Sequence, residues 1–266
     1  MKKSWKIWTA VILVVVLLVC GNAAWSGIAR SRAIIPGNMT AAERDKGVQF
    51  SYDPASRTLM AKGDQDSGMW MLPFIDDNTA TGQQLAALCA SGPEVAHVLE
   101  EYVLLSNRAV ASGKIKDIRF TRPDGSVQTW YFVSSFHRVR RMKTMPIRYG
   151  DGGKVTRVGG SVYSHTEQGL LRSLDSTLTM QFDGKGRMSS MKLLETYTDQ
   201  VVSYRYQYFY RGNSTAPFAL TVQGGVKDPH SGAVLSSRDE KILLSFTNGY
   251  IAQVRTESMD YRFAMV

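Results

Sequence analysis

Four histidines, His97, His137, His165 and His230, are the first candidates for metal or acid–base chemistry. No two of them stand at metal-ligand spacing, and no Cys-x-x-Cys occurs. No metal site and no cofactor is expected. His97 has apolar neighbours in a helical pattern, the setting of a packed helix histidine, and His230 sits in a Pro-His-Ser-Gly turn. Ser189-Ser190-Met191-Lys192 has the Ser-x-x-Lys spacing of serine acyl-transfer enzymes. That chemistry needs the serine at a helix start with the lysine one turn on. This segment reads as a strand, on which Ser189 and Lys192 face opposite sides. There is no Gly-x-Ser-x-Gly elbow, no phosphate loop and no Gly-x-Gly-x-x-Gly. The acidic doublets Asp76-Asp77, Glu100-Glu101 and Asp239-Glu240 read as solvated charges, since general acid–base use requires a cleft.

The densest run of charge is His137-Arg138-Val139-Arg140-Arg141-Met142-Lys143. On a strand, Arg138 and Arg140 share one face and Arg141 and Lys143 the other. Arg148, Lys154 and Arg157 extend the region. A solvated sheet edge explains such a run, because charged edges block strand-to-strand aggregation. An anionic partner is the alternative: lipid headgroups, an acidic protein face or an envelope polymer. Arg138, Arg140, Arg141, Lys143 and Arg148 are the candidate binding residues. The net charge of +9 is unevenly placed. Residues 33–107 carry four basic and ten acidic groups, whereas residues 108–157 carry twelve and three. The two blocks either pair within the domain or leave the basic face free, and the second outcome is expected.

The N-terminus bears on where such a partner is met. Lys2, Lys3 and Lys6 lead into an uncharged run from Ile7 to Ala29, almost wholly aliphatic over Ala10–Cys20. A basic region followed by an apolar one is the pattern of export. Residues 1–29 read as a signal peptide or an N-terminal membrane anchor. Gly21 and Ala23 suit a cut after Ala23. The uncharged run of 23 residues is also long enough to span, since about 20 apolar residues cross a bilayer. Lipidation at Cys20 is a third route to the membrane, although Val19 stands where a small residue is usual. The leading lysines keep the N-terminus in the cytoplasm and residues 30–266 outside. The expected location is the inner membrane facing the periplasm, or the periplasm or medium after cleavage. Nucleic acid is not an expected partner. The only other cysteine, Cys89, lies in Leu-Ala-Ala-Leu-Cys-Ala and reads as a small buried hydrophobe with no disulfide partner.

Residues 30–46, broken by Pro36-Gly37, read as a linker. Val48–Tyr52 and Arg57–Ala61 alternate about a turn and predict a hairpin. Helices are expected near 81–112, from capping boxes at Thr81/Gln84 and Ser91/Glu94, with Gly113 as the stop. Strands are then expected at Ile115–Thr121, Val127–Ser134, Phe136–Lys143, Lys154–Val162, Thr177–Phe182, Met188–Thr196, Val201–Tyr210, Pro217–Val222, Lys241–Phe246 and Ile251–Ser258. The fold class is α+β and predominantly β: an antiparallel meander with one helical pair near its start. Residues 47–266 form one β-rich domain.

Tyr52-Asp53-x-x-Ser56-Arg57-x-Leu59 and Phe182-Asp183-x-x-Gly186-Arg187-Met188 share an order: aromatic, Asp, two free, small, Arg, apolar. This resembles the YD repeat of Rhs-type exported proteins and small enterobacterial exported lipoproteins built from such hairpins. Two copies imply a hairpin type, in which Asp bonds the turn backbone and the small residue accepts positive φ. They do not imply the cargo cage of long arrays. The functional expectation is a membrane-associated, non-enzymatic binding or structural module of the cell envelope. The alternative is an envelope hydrolase or other enzyme.

Overall fold

The computed structural model describes residues 35–36, 39–41, 47–65, 68–136 and 138–265. The apolar segment with Cys20, much of the 30–46 stretch and His137 lie outside the described residues. The described chain is predominantly β. Its strands are β1 (Met39–Ala41), β2 (Gln49–Asp53), β3 (Thr58–Lys62), β4 (Asp117–Thr121), β5 (Val127–Ser135), β6 (Arg138–Met142), β7 (Met145–Tyr149), β8 (Val155–Val158) and β9 (Ser161–His165). They continue as β10 (Leu171–Leu174), β11 (Leu178–Phe182), β12 (Met188–Thr196), β13 (Val201–Tyr210), β14 (Pro217–Lys227), β15 (Val234–Thr247), β16 (Tyr250–Arg255) and β17 (Asp260–Met265). Between β3 and β4 come a short 3-10 segment, Met69–Phe74, and the helices α1 (Ala80–Cys89), α2 (Pro93–Ser106) and α3 (Arg108–Ala111).

Each strand from β4 to β17 pairs antiparallel with the next, and β1 adds antiparallel to β17. One pairing departs from the all-antiparallel expectation. β3 and β4 are parallel, with Thr58 opposite Asp117. The helices are the reason, because a crossover returns the chain in the same direction whereas a tight turn reverses it.

The sheet is curled around the helices. α1 touches β16, α2 touches β8 and α3 touches β6, while α1 and α2 touch each other. Laid flat, β6 and β16 would stand about 48 Å apart, at roughly 4.8 Å per strand. A single helical plug reaches both only if the sheet wraps it. Burial agrees: Leu85 to Ala90 are six consecutive buried residues, so α1 has no solvent face along that stretch. One apolar core runs through the helices and the inward faces of the strands, with Trp130, Phe120, Phe74 and Tyr206 among its largest members.

Polar side chains tie the plug to the sheet. Gln84 of α1 donates to the Leu171 carbonyl at 2.8 Å and accepts from the Leu171 N–H at 2.8 Å. Ser91 donates to the Ala87 carbonyl and shares a hydrogen bond with the Tyr208 hydroxyl at 2.8 Å. Arg238 of β15 reaches Glu94 of α2, the Ser91 carbonyl and Glu240.

These bonds replace the expected capping boxes. The N-cap of α1 is Thr79 and that of α2 is Gly92, neither with a side-chain cap. Gln84, Ser91 and Glu94 are used on the sheet instead. The helical stretch also breaks before Gly113. Asn107 accepts from Ala109 N–H and Val110 N–H, capping α3, and donates to the Phe74 carbonyl. Cys89 is fully buried, and burial pushes its thiol up to about 12, so it carries almost no thiolate at neutral pH.

Two further departures are local. Met39–Ala41, inside the stretch read as linker, pairs with β17. The single strand expected over Lys154–Val162 is a hairpin folded at Gly159-Gly160. In β14, adjacent glycines bring strands unusually close. A Cβ on Gly224, whose φ is +149°, would lie 2.1 Å from the Ser203 carbonyl oxygen, and one on Gly225 would lie 2.1 Å from that of Ser236.

The two Asp-anchored turns are built alike but not identically. Asp183 accepts from Lys185 N–H and Arg187 N–H, Gly186 takes φ +74°, and Arg187 folds back onto the carboxylate. Asp53 accepts from Ala55 N–H and Ser56 N–H, but the positive φ falls on Arg57 rather than on the small residue.

Candidate interaction face and adjoining pockets

The basic run lies on β6 and the turn that follows it. Simple alternation fails there because of a β-bulge. Phe132 pairs with Met142, Val133 with Arg141 and Ser134 with Val139, which leaves Arg140 as the extra residue. Val139 and Met142 therefore both point inward, and Arg140 and Arg141 are both exposed. The expected grouping of Arg138 with Arg140, opposite Arg141 with Lys143, is corrected accordingly.

The five candidates divide into two sets. Arg138 is half-buried, its guanidinium 3.8 Å above the centre of the Tyr149 ring. Lys143 takes φ +53° in the turn, and its charge lowers the Glu101 carboxyl, which burial raises overall. Those two serve the domain itself. Arg140, Arg141 and Arg148 are exposed, and none of them forms an ion pair among the described residues. Arg148 stands opposite Arg157 of β8, and Arg157 stands opposite Val162 of β9.

Apolar side chains share this surface. Val133, opposite Arg141, is about half exposed, as are Tyr131 and Val162. Phe136, in the turn between β5 and β6, is 93 % exposed with φ +49°. Bulky residues rarely adopt positive φ. The sequence pattern makes Phe136 the first residue of a strand, whereas it stands in the turn before β6. The signal that marks it is its place between two strand runs, in Ser-Ser-Phe-His.

Two pockets lie between plug and sheet. The larger, about 680 Å³, is bordered by Asp76, Thr81, Tyr102, Arg108, Lys154 and Tyr250 among others. Its charged groups are already engaged. The Asp76 carboxylate accepts from the Arg108 N–H and from Nε at 3.1 Å, and Lys154 donates to the Gly169 carbonyl at 2.7 Å. Burial nevertheless raises the Asp76 carboxyl, outweighing the hydrogen bonds and charge of Arg108. Tyr102 hydrogen-bonds His165 Nε2 at 2.9 Å and stacks on Tyr163. Burial, then the charge of Lys154, lowers His165 and favours its neutral form.

The smaller pocket, about 320 Å³, is lined by Gln65, Trp70, His97, Glu100, Arg122 and Gln128 among others. Gln65 Nε2 donates to Glu100 at 3.0 Å and to Gln128 at 3.1 Å, and Arg122 donates to Gln128 at 2.7 Å. The Tyr102 hydroxyl and the His165 imidazole make a hydroxyl–base contact at the larger pocket, and burial raises the Tyr102 hydroxyl well above its usual value, which keeps it protonated. Ser189 lies on β12, where its hydroxyl donates to the Gln181 carbonyl. Among the described residues no three His, Cys, Asp or Glu side chains converge on one point.

The acidic doublets depart from the solvated expectation. Asp76 is buried, Glu100 is partly buried, and Glu240 is paired with Arg238. Burial raises the Glu100 carboxyl above its usual 4.5, against the lowering effects of the Gln65 hydrogen bond and His97. A carboxyl raised in the fold binds its proton more tightly there than in the unfolded chain. Its favourable contribution is fully present below the unfolded value and is lost as pH rises through the folded one. Glu100→Gln is expected to make the protein more stable than wild type at pH 7. The difference should shrink as pH falls toward 4.5, read from urea midpoints at each pH.

No family model matches the chain, and no curated protein matches it. Among solved structures, it is similar to a porin-like protein from Bacteroides vulgatus at 15 % identity and a TM-score of 0.28. That alignment covers 46 % of this chain and spans half of the porin-like one. No helix among the described residues is long and apolar enough to cross a membrane.

Proposed function

We propose that this protein is a membrane-tethered, non-enzymatic module of the cell envelope whose outer sheet face binds an anionic partner. The observation that carries the reading is the set Arg140, Arg141 and Arg148, exposed and without an acidic partner among the described residues, on a surface that also exposes Tyr131 and Val133. Unpaired guanidinium groups beside exposed apolar groups suit an amphipathic, negatively charged surface better than they suit water alone. The curled sheet supports the non-enzymatic reading, because α1 and α2 occupy most of its concave side and the Asp76, Arg108 and Lys154 side chains at the larger pocket are held in hydrogen bonds within the domain. Export through the segment at 1–29 supplies the setting, and the resemblance to YD-type hairpins adds only a hairpin type.

The test uses full-length protein in detergent and an immobilised polyanion, dextran sulfate. Arg140→Gln, Arg141→Gln and Arg148→Gln together should leave the unfolding midpoint within the usual range for surface changes. At about 1 kcal/mol per cation near an anionic surface, retention should weaken by about 100-fold, and wild type in high salt should behave like the variant at low salt. Equal retention of both proteins at low salt would overturn the proposal.

A further inference from the structure

Strand direction brings two features of the chain to one end of the sheet. β5 and β17 are separated by twelve antiparallel steps, so they run in the same direction and finish at the same end of the sheet. β5 finishes at Ser135 and leads into Phe136. β17 finishes at Met265, which pairs with Met39, the residue by which the chain enters the sheet from its N-terminal segment. The exposed Phe136 and the point of entry of the tether therefore lie at one end. Only nine residues, 30–38, separate Met39 from the uncharged run that stops at Ala29. Nine residues reach at most about 30 Å.

The same end carries the cations. Arg138 pairs with Ser135, the last residue of β5, and Arg148 is the penultimate residue of β7, which also finishes there. Arg140 is two residues from Arg138. Two exposed arginines, Arg140 and Arg148, thus stand at the end that carries an aromatic ring almost wholly in solvent.

We infer that this end lies on the bilayer that holds the tether, with Phe136 seated among the acyl chains just below the headgroups and Arg140 and Arg148 on anionic lipid phosphates. The inference rests on the anionic-partner reading above and names that partner. An exposed aromatic side chain beside cations is the side-chain chemistry of interfacial membrane binding. The positive φ of Phe136 is conformational strain kept at the tip of the turn, where it aims the ring away from the sheet. A polyanion in solution would use the arginines and leave the ring unoccupied.

The experiment labels position 136 of the full chain with an environment-sensitive fluorophore, through Phe136→Cys in a Cys20→Ser background. Cys89 is buried and does not compete. A second protein carries the label at the exposed Ser231, which lies in the turn between β14 and β15 at the opposite end of the strands. Both are reconstituted in vesicles of phosphatidylcholine, with or without about a third phosphatidylglycerol. Emission from position 136 should shift to the blue only with the anionic lipid, and position 231 should not shift. Adding the three glutamine substitutions at 140, 141 and 148 should remove most of the shift. If position 136 reports water in anionic vesicles while dextran sulfate retention still depends on the arginines, the partner is a soluble polyanion and the bilayer inference falls. If both are lost, the anionic-partner reading falls with it. A shift of equal size in pure phosphatidylcholine would remove the arginines from the interaction.

Discussion

Gln84→Leu is expected to destabilise the protein by about 3 kcal/mol or more, one of the largest effects of any single polar side chain here. Gln84 behaves as a strand residue would. Its amide gives one hydrogen bond to the Leu171 backbone and takes one from it, both at 2.8 Å. β11 pairs only with Ser173 and Leu174 of β10, so Leu171 lies beyond that ladder. Leucine would fit the volume and leave a buried N–H and a buried C=O unpaired, each costing about 1–3 kcal/mol. Gln84→Glu separates hydrogen bonding from packing. Ionised, the new carboxylate accepts but does not donate, and it is buried. Protonated, it does both. Relative to wild type at each pH, Gln84→Glu should be strongly destabilised at pH 7 and should recover as the pH falls, since a buried carboxyl titrates above its unfolded value. Urea unfolding across pH measures both variants. A loss below about 1 kcal/mol for Gln84→Leu would mean that water replaces the amide.

Gly224→Ala is expected to cost about 3 kcal/mol as well, through the backbone. A Cβ there lies 2.1 Å from the Ser203 oxygen and 2.7 Å from the Tyr204 Cα, both main-chain atoms of β13 that no rotamer change can move. Overpacking costs about 1–3 kcal/mol, and a side chain at φ +149° adds backbone strain. Gly212→Ala is the control. It also has positive φ, +52°, but no atom lies within 4 Å of its Cβ, so only the strain remains. Thermal or urea midpoints that fall equally for both would show that the close approach of β13 contributes nothing.

Much of the strand content was readable because β-strands with one buried face alternate. Val201–Tyr210 buries Val202, Tyr204, Tyr206 and Tyr208 in turn, and its bounds match the expectation. Alternation failed where the backbone adds a residue. The bulge at Arg140 turns two arginines outward together, and nothing in the order Arg-Val-Arg-Arg-Met announces it. Short strands such as Leu171–Leu174 carry too few residues for a period. Capping patterns failed for another reason. Gln84, Ser91 and Glu94 have the right types at the right spacing for helix ends, but the wrapped sheet offers them partners. The division of the basic cluster was equally invisible, because Tyr149 and Glu101 reach Arg138 and Lys143 through the fold and not through the sequence. The charge asymmetry was legible, and part of it is spent internally: Arg108 on Asp76, Arg238 on Glu94, and Lys143 beside Glu101.

The parallel contact between β3 and β4 constrains the order of assembly. From β4 to β17 each strand finds its partner across a short connection, so this part can zip as it is made. β3 must wait for β4, fifty-nine positions later. Closing a loop of that length costs about 2 kcal/mol more in chain entropy than closing a four-residue turn. β1 waits longest, since its partner is β17. A chain emerges from synthesis N-terminus first, so β2 and β3 spend that interval as an unpaired hairpin with Leu59 and Ala61 uncovered. Such an interval is when a chaperone would be needed. Pulsed hydrogen exchange during refolding should protect β12–β15 before β3, and β1 last of all.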